Sequence, residues 1–279
     1  MYEEPTIGII GGSGWLGRSI ALAMLDKAFV QPGALVLSNR SASNPLTSAK
    51  WSQVTVTSDN QELVERCEVV IVSVRPEQFA EVEIFAENRL VISLMAGVSL
   101  EDVVQRTGSR QVIRAMANAA AEIGKSYTPW LATQQVSEEQ KAFAQCLFET
   151  FGGADEVFSE RHLNYLTALV GTGPAYPALL ARSLFQHAVS SGLPPAIAQR
   201  ASHAVVVQAS QLIGDGRSVD ELLQTLINYR GVTAAGLDAM LASGFDKTIK
   251  AGLDSAASVA SCMNLFAHSA DTKEGPMTR

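Results

Sequence analysis

The stretch Ile7-Gly8-Ile9-Ile10-Gly11-Gly12-Ser13-Gly14-Trp15-Leu16-Gly17 decides the fold of the N-terminal half. A buried strand, predicted over Thr6 to Gly11, runs into a G-x-G-x-x-G motif formed by Gly12, Ser13, Gly14, Trp15, Leu16 and Gly17. Such glycines permit a tight turn, close approach of the backbone to a pyrophosphate and close packing of the next helix. Apolar residues at helical spacing from Leu16 to Phe29 supply that helix, whose first amides face the phosphates. The motif predicts a dinucleotide-binding site, with a plain glycine turn as the alternative.

Short apolar runs rich in β-branched residues recur through the first 160 residues. They lie at 34–38, 68–74 and 90–94, with further candidates at 111–116 and 127–133. Continuous apolar strands are covered on both faces, as in a parallel sheet flanked by helices. We therefore predict a Rossmann-type, doubly wound α/β domain over residues 1–160.

The sequence changes character after residue 160. Alanine-rich helical stretches replace the strand-like runs, at 162–170, 174–191, 195–214, 218–227, 233–242 and 246–268. We predict an all-α domain over residues 161–279 for substrate binding or dimerisation. Its helices carry apolar residues on more than one face, which favours a homodimer or a higher homo-oligomer because a small lone domain does not bury them.

The end of the second predicted strand indicates which dinucleotide binds. An NAD site usually has an acidic residue there to hold the ribose hydroxyls, whereas this chain has Asn39 and Arg40 among small polar neighbours. A guanidinium group suits a 2′-phosphate, so NADPH is predicted in preference to NADH. A solvated surface arginine is the alternative. Val74, Arg75 and Pro76 end the third strand, at the edge that lines the ligand crevice, and are predicted to border the cofactor, with a solvent-facing cap as the alternative for Arg75.

Composition excludes several classes of protein. The formal net charge of −7 disfavours non-specific nucleic-acid binding, and no apolar run is long enough to span a membrane. Met1 to Pro5 does not resemble a secretory signal, so we expect a cytoplasmic protein. Cys67, Cys146 and Cys262 suit a reducing compartment, and neither they nor the four histidines have metal-ligand spacing. No metal site is predicted.

Four segments resemble the pyrroline-5-carboxylate reductases, which reduce a cyclic imine to proline with NADPH or NADH. They are Val74-Arg75-Pro76-Glu77-Gln78, the run from Ile92 to Leu100, Arg114-Ala115-Met116-Ala117-Asn118, and Gly171-Thr172-Gly173-Pro174-Ala175-Tyr176. The last is almost the family's Gly-Ser-Gly-Pro-Ala-Tyr, and the resemblance covers nearly the whole chain. It implies proline biosynthesis, paired helical domains and a cofactor contact at Asn118.

The resemblance also implies a substrate loop at Asn228-Tyr229-Arg230-Gly231-Val232-Thr233, where the family has Ser-Pro-Gly-Gly-Thr-Thr. In the family this loop opens a helix whose amides hold the substrate carboxylate, a use that suits a helix N-terminus. Substrate binding is accordingly assigned to Asn228, Arg230, Gly231 and Thr233. Thr233 is the candidate catalytic residue, as hydrogen-bond partner of the ring nitrogen or the carboxylate; an ordinary helix cap is the alternative.

Two other functions remain open at this point. The altered loop suits a reductase of a different cyclic or secondary imine, in which Arg230 pairs with a second acidic group or turns outward. A non-catalytic NADPH-binding homologue is the other. A β-hydroxyacid dehydrogenase is disfavoured. Enzymes of that class share a catalytic lysine early in the helical domain, and this chain has no lysine between Lys141 and Lys247.

Overall fold

The computed structural model describes residues 5–214, 216 and 218–262. Contacts divide the chain into two compact units, and we describe each by itself. The first unit comprises the residues up to Thr172 together with those from Ala256 onward, and the second comprises Gly173–Ser255. The contact boundary therefore falls after Thr172, whereas the sequence predicted a domain boundary at 160.

The first unit is built on one sheet of eight strands. The strands are β1 (Ile7–Ile10), β2 (Leu35–Ser38), β3 (Thr55–Thr57), β4 (Val69–Val72), β5 (Leu90–Ser93), β6 (Val112–Ala115), β7 (Ser126–Ala132) and β8 (Gly152–Glu156). Their order is β3-β2-β1-β4-β5-β6-β7-β8, with β1 central between β2 and β4. This is the predicted Rossmann-type arrangement, in which the ligand crevice lies beyond the carboxyl ends of the strands.

Two strands depart from the predicted parallel sheet. β7 runs antiparallel to β6, with Arg114 opposite Leu131, and β8 is parallel to β7, so both run opposite to β1–β6. The reason is the connection between β6 and β7: residues 116–125 contain only a short 3₁₀ helix, Ala119–Ile123. A parallel partner needs a longer crossover, whereas an antiparallel one needs only a turn.

Helices cover both faces of the sheet. They are α1 (Trp15–Asp26), α2 (Asn60–Arg66), α3 (Leu100–Thr107), α4 (Glu138–Glu149) and α5 (Glu160–Leu166). Alternate residues of one strand enter opposite cores, as Ile71 and Val70 of β4 do. Burial of both faces explains the continuous apolar strands of the sequence.

The described residues of the second unit form helices joined by turns, with no strand among them. Its helices are α6 (Ala175–Ser190), α7 (Pro195–His203), α8 (Val219–Asn228), α9 (Val232–Ala242) and α10 (Phe245–Cys262), the last of which ends in the first unit. The predicted helix 195–214 is divided, because π-helical Ala204–Gln208 and 3₁₀-helical Ala209–Gly214 follow α7. The predicted helix 162–170 likewise becomes α5 and a π-helix, Thr167–Gly171. The predicted continuation of α10 to 268 lies outside the described residues.

Candidate functional site

The glycine loop between β1 and α1 begins one residue earlier than the sequence motif indicates. Gly11 has a φ of +85°, and a Cβ there would lie 2.4 Å from the Ser73 oxygen. Gly11 and Gly12 both donate their amides to the Ser38 oxygen, at 3.1 Å. Gly11 therefore makes the tight turn that the motif assigned to Gly12. The signal was present in the sequence, because the apolar strand ends at Ile10.

The third glycine packs as the motif requires. A Cβ at Gly17 would lie 2.6 Å from the Gly11 oxygen, so a larger residue would push α1 away from the loop. Gly14 is the N-cap residue of α1, and its amide donates to the Gly11 oxygen at 2.9 Å. The amides of Trp15, Leu16 and Gly17 belong to the first turn, where helical N–H groups have no partner within the helix. No acidic residue lies in that turn. The arrangement fits a pyrophosphate.

The loop after β2 forms a small polar cluster. Asn39 is buried; its Nδ2 donates to the Ser43 oxygen at 3.0 Å, and its Oδ1 accepts from the Ser41 hydroxyl at 2.9 Å. The Ser41 and Ser43 hydroxyls lie 2.6 Å apart. Asn39 thus holds the loop in shape, and the exposed hydroxyls belong to Ser41, one of the small polar neighbours seen in the sequence, and to Ser43, which the sequence did not point to.

Arg40 is exposed on this loop. Among the residues that the structure describes, no carboxylate forms an ion pair with it. An unpaired guanidinium group beside two hydroxyls has the donors that a phosphate monoester needs. The cluster fits the 2′-phosphate of NADPH.

The end of β4 borders the glycine loop directly. A Cβ on Gly11 would lie 3.1 Å from Val74 Cγ1, so only a glycine allows this approach. Pro76 begins the 3₁₀ helix Pro76–Glu81, and Arg75, its N-cap residue, is exposed. The ends of β1, β2 and β4 therefore bring the predicted cofactor residues of those three segments to one edge of the sheet.

Asn118 lies at the start of the 3₁₀ helix Ala119–Ile123, and its hydrogen bonds are structural. Its Oδ1 accepts from the Ala120 amide at 2.9 Å, and its Nδ2 donates to the Val170 oxygen at 3.0 Å. Its amide donates to the Ser126 hydroxyl at 3.1 Å. The side chain joins the connection after β6 to the π-helix Thr167–Gly171, which places it to shape the crevice.

Arg114 makes a second connection between these segments. It is fully buried in β6, with Nη1 3.1 Å from Glu160 Oε1 and Nη2 2.9 Å from Asn164 Oδ1. Burial lowers the pKa of the guanidinium group, and the Glu160 carboxylate opposes that shift. Because a buried cation is costly unless it is paired, this network fixes α5 against the sheet.

The predicted substrate loop lies between α8 and α9 in the second unit. Asn228 is the last residue of α8, and its Oδ1 accepts from Gln224 Nε2 at 3.1 Å. Arg230 has a φ of +54°, and Gly231, with a φ of +82°, is the N-cap residue of α9. Thr233 is the second residue of the helix, is exposed, and makes no capping bond. The helix cap is thus Gly231, which leaves the Thr233 hydroxyl available.

Neither a metal site nor a membrane-spanning helix is found among the described residues. No group of three His, Cys, Asp or Glu side chains there is arranged to hold a metal ion. No described helix is both long and apolar enough to cross a membrane.

Comparison with known proteins gives two matches to family models. Residues 160–263 match the model described as pyrroline-5-carboxylate reductase dimerisation, and residues 6–97 match the one described as NADP oxidoreductase coenzyme F420-dependent. The pyrroline-5-carboxylate reductase of Synechocystis sp. is 31% identical over 248 residues, which cover 87% of this chain and 92% of the relative. That of Thermus thermophilus is 32% identical over 82% of this chain and 87% of its own length.

A solved structure shares the fold. The crystal structure of Plasmodium falciparum pyrroline carboxylate reductase with NADP bound superposes with a TM-score of 0.79 at 20% identity, covering 94% of this chain and 99% of that one.

Proposed function

Because this chain belongs to the pyrroline-5-carboxylate reductase family, we propose that it reduces 1-pyrroline-5-carboxylate to L-proline with NADPH, a step of proline biosynthesis. The observation that carries the proposal is the identity of 31% and 32% to two reductases of this name over more than four fifths of the chain. The match includes both the dinucleotide-binding segment and the helical segment, so the whole reaction, and not the cofactor site alone, is assigned.

Reduction of a protonated imine requires little general acid–base catalysis from the protein. When bound, NADPH would supply the hydride that reduces the carbon of the protonated C=N bond, leaving NADP⁺ and a secondary amine. The protein accelerates such a step chiefly by holding the two reactants in register. We assign the pyrophosphate to the loop of residues 12–17, where the first-turn amides of Trp15, Leu16 and Gly17 face it, with the cofactor bordered by Val74, Arg75, Pro76 and the Asn118 segment.

On the substrate side, we assign Thr233 as the hydrogen-bond partner of the ring nitrogen or the carboxylate: its oxygen accepts from the protonated ring nitrogen, or its hydroxyl donates to the carboxylate. The free amides at the start of α9, after Gly231, suit the carboxylate because they and the helix dipole both favour an anion. Asn228 contributes its side-chain amide group. The free Thr233 hydroxyl and the Gly231 cap support this assignment.

Preference for NADPH over NADH rests on Arg40. The 2′-phosphate adds a dianionic group beside the adenine ribose, and Arg40 supplies the donors for it, in a loop whose Ser41 and Ser43 hydroxyls leave its surroundings polar. Asn39 acts by fixing the loop, through its bonds to Ser41 and Ser43.

The chain is a homo-oligomer, as the dimerisation model over residues 160–263 indicates. We propose a dimer or a multiple of dimers that associates through the C-terminal helices. Exposed apolar side chains of the second unit support this interface, including Leu179, Ile197, Leu223 and Met240. We further propose functional domains at 1–160 and 161–279, which the start of the matched model at residue 160 supports, and a cytoplasmic location, which the unbridged Cys67 and Cys146 suit.

A second candidate is favoured by one feature of the substrate loop. Arg230 occupies a left-handed backbone conformation that glycine adopts more easily, and the family has glycine there. A guanidinium group at this position suits an imine that carries a second carboxylate. Under this alternative the reaction is the same and the ring substituent differs.

The test follows NADPH oxidation with 1-pyrroline-5-carboxylate, unsubstituted pyrroline and a dicarboxylated cyclic imine. Turnover with the first compound supports the proposed function, and preference for the dicarboxylated imine that disappears in Arg230→Gly supports the alternative. NADPH binding without turnover of any imine identifies a non-catalytic homologue and refutes both.

A further inference from the structure

Trp15 is an exposed indole at the start of the phosphate-binding helix. It is the first residue of α1, with 66% of its surface exposed, whereas Trp51 and Trp130 are 6% and 2% exposed. Its Nε1 donates to Glu122 Oε2 at 2.8 Å. Both residues lie in the first unit, and their helices pack against each other.

The bond joins the two segments to which cofactor contacts have been assigned. α1 carries the amides assigned to the pyrophosphate, and Asn118 is the N-cap residue of the 3₁₀ helix Ala119–Ile123, in which Glu122 lies. Neither partner is buried, so the core does not determine how the indole is oriented. The Glu122 carboxylate is the acceptor that holds it.

The Glu122 carboxylate lies beside the residue that begins α1 and so bears on how that helix binds an anion. An anion near a helix N-terminus competes for the positive end of the helix dipole that would otherwise serve the pyrophosphate. Here Glu122 instead accepts a hydrogen bond from an indole, which has no charge and offers the cofactor a large flat apolar face.

We propose that Glu122 is a positioning residue for the dinucleotide, acting through Trp15. Its carboxylate holds the indole beside the first turn of α1, so that the exposed ring face packs against the cofactor between the pyrophosphate and the nicotinamide. The inference rests on the proposed use of NADPH.

The experiment measures the NADPH dissociation constant of the full-length protein by calorimetry for Glu122→Ala, Glu122→Gln, Trp15→Phe and the double variant. Loss of one hydrogen bond that orients a ligand-contacting ring is expected to weaken NADPH binding about 3- to 10-fold in Glu122→Ala. Glu122→Gln retains an oxygen acceptor and is expected to bind within about twofold of the parent. Trp15→Phe keeps a ring but loses the donor, so adding Glu122→Ala to it changes binding no further.

The matched control is Glu149→Ala. Glu149 is an exposed carboxylate that accepts from Gln145 Nε2 at 2.7 Å, so its removal costs a comparable surface bond away from the glycine loop. We expect unchanged NADPH binding in this control. With saturating NADPH, KM for the imine is expected to be unchanged in Glu122→Ala, and thermal unfolding of all single variants stays close to that of the parent.

Three results overturn the inference. Unchanged NADPH binding in Glu122→Ala shows that the bond does not position the cofactor. Equal tightening in Glu122→Ala and Glu122→Gln shows that the carboxylate acts by charge alone. Failure of the unsubstituted protein to bind NADPH refutes the proposed function and this inference with it, and so differs from the first two results.

Discussion

Replacing Arg40 with alanine is expected to remove the preference for NADPH while leaving NADH binding intact. Arg40 is exposed and has no ion-pair partner among the described residues, so its removal leaves no carboxylate unpaired. The Asn39 bonds to Ser41 and Ser43 do not involve its side chain, so the loop keeps its shape.

The size of the effect follows from the kind of contact. A hydrogen bond to a charged group is worth about 1.5–3 kcal/mol, and exposure of the guanidinium group favours the lower part of that range. At about 1.4 kcal/mol for each factor of ten, Arg40→Ala is expected to weaken NADPH binding about 10- to 30-fold. NADH lacks the 2′-phosphate, so its dissociation constant is expected to stay within about twofold of the parent value.

Both dissociation constants are measured by calorimetry at two salt concentrations. Salt screens exposed charges, so the preference of the parent for NADPH is expected to shrink at high salt, and that of Arg40→Ala is not. Arg110→Ala is the control, because Arg110 is exposed just before β6, at the edge of the sheet opposite the crevice. Equal weakening of NADPH and NADH in Arg40→Ala, or no weakening of either, would refute the assignment.

Three further predictions concern the glycine loop, the substrate loop and a buried thiol. Gly17→Ala places a Cβ 2.6 Å from a backbone oxygen of the loop, so we expect NADPH and NADH to bind more weakly and the free energy of unfolding to fall by about 1–3 kcal/mol. Calorimetry measures the binding and denaturant titration the stability. The control is Gly33→Ala, whose Cβ would meet nothing within 4 Å and which should change neither binding nor stability. Thr233→Val removes the hydroxyl but keeps the shape of the side chain, so we expect kcat/KM for the imine to fall about 10- to 100-fold while KM for NADPH stays unchanged. Thr233→Ser keeps the hydroxyl and is expected to keep most of the activity. Equal rates for the two variants would exclude the assigned role. Burial raises the pKa of Cys67 to about 12, so its thiol stays protonated and unreactive at pH 8. We expect an alkylating reagent to modify the exposed Cys146 of the folded protein and to spare Cys67, as mapped by mass spectrometry. Rapid labelling of Cys67 would contradict its buried position.

The central strands could be predicted because they are buried on both faces and their sequences are therefore unbroken apolar runs. β1, β2, β4 and β5 all fall within the predicted segments. The edge strands β3 and β8 were not predicted, since Thr55–Thr57 has only three residues and four of the five residues of Gly152–Glu156 are glycine or acidic. A strand covered on one face or at an edge lacks the hydrophobic signal.

Two parts of the candidate site could be proposed from the sequence because each is a single short segment of the chain. They are the glycine loop, in which Gly11 was assigned to the strand, and the loop from Asn228 to Thr233. Trp15 and Glu122 lie 107 residues apart and meet only because the β6–β7 connection reaches α1. No periodicity or motif encodes such a pair.

The antiparallel β7 has a consequence for the order in which the sheet assembles. β6 and β7 pair across the short connection at residues 116–125, whereas β1 pairs with β4 by joining Ile7 to Val69. Closing a short loop costs less chain entropy and is faster than closing a long one. The hairpin that carries Asn118 and Glu122 is therefore expected to form early in refolding, before β1 and β4 meet. The approach of Ser73 and Val74 to Gly11, which depends on the pairing of β4 with β1, is then expected among the later steps of refolding.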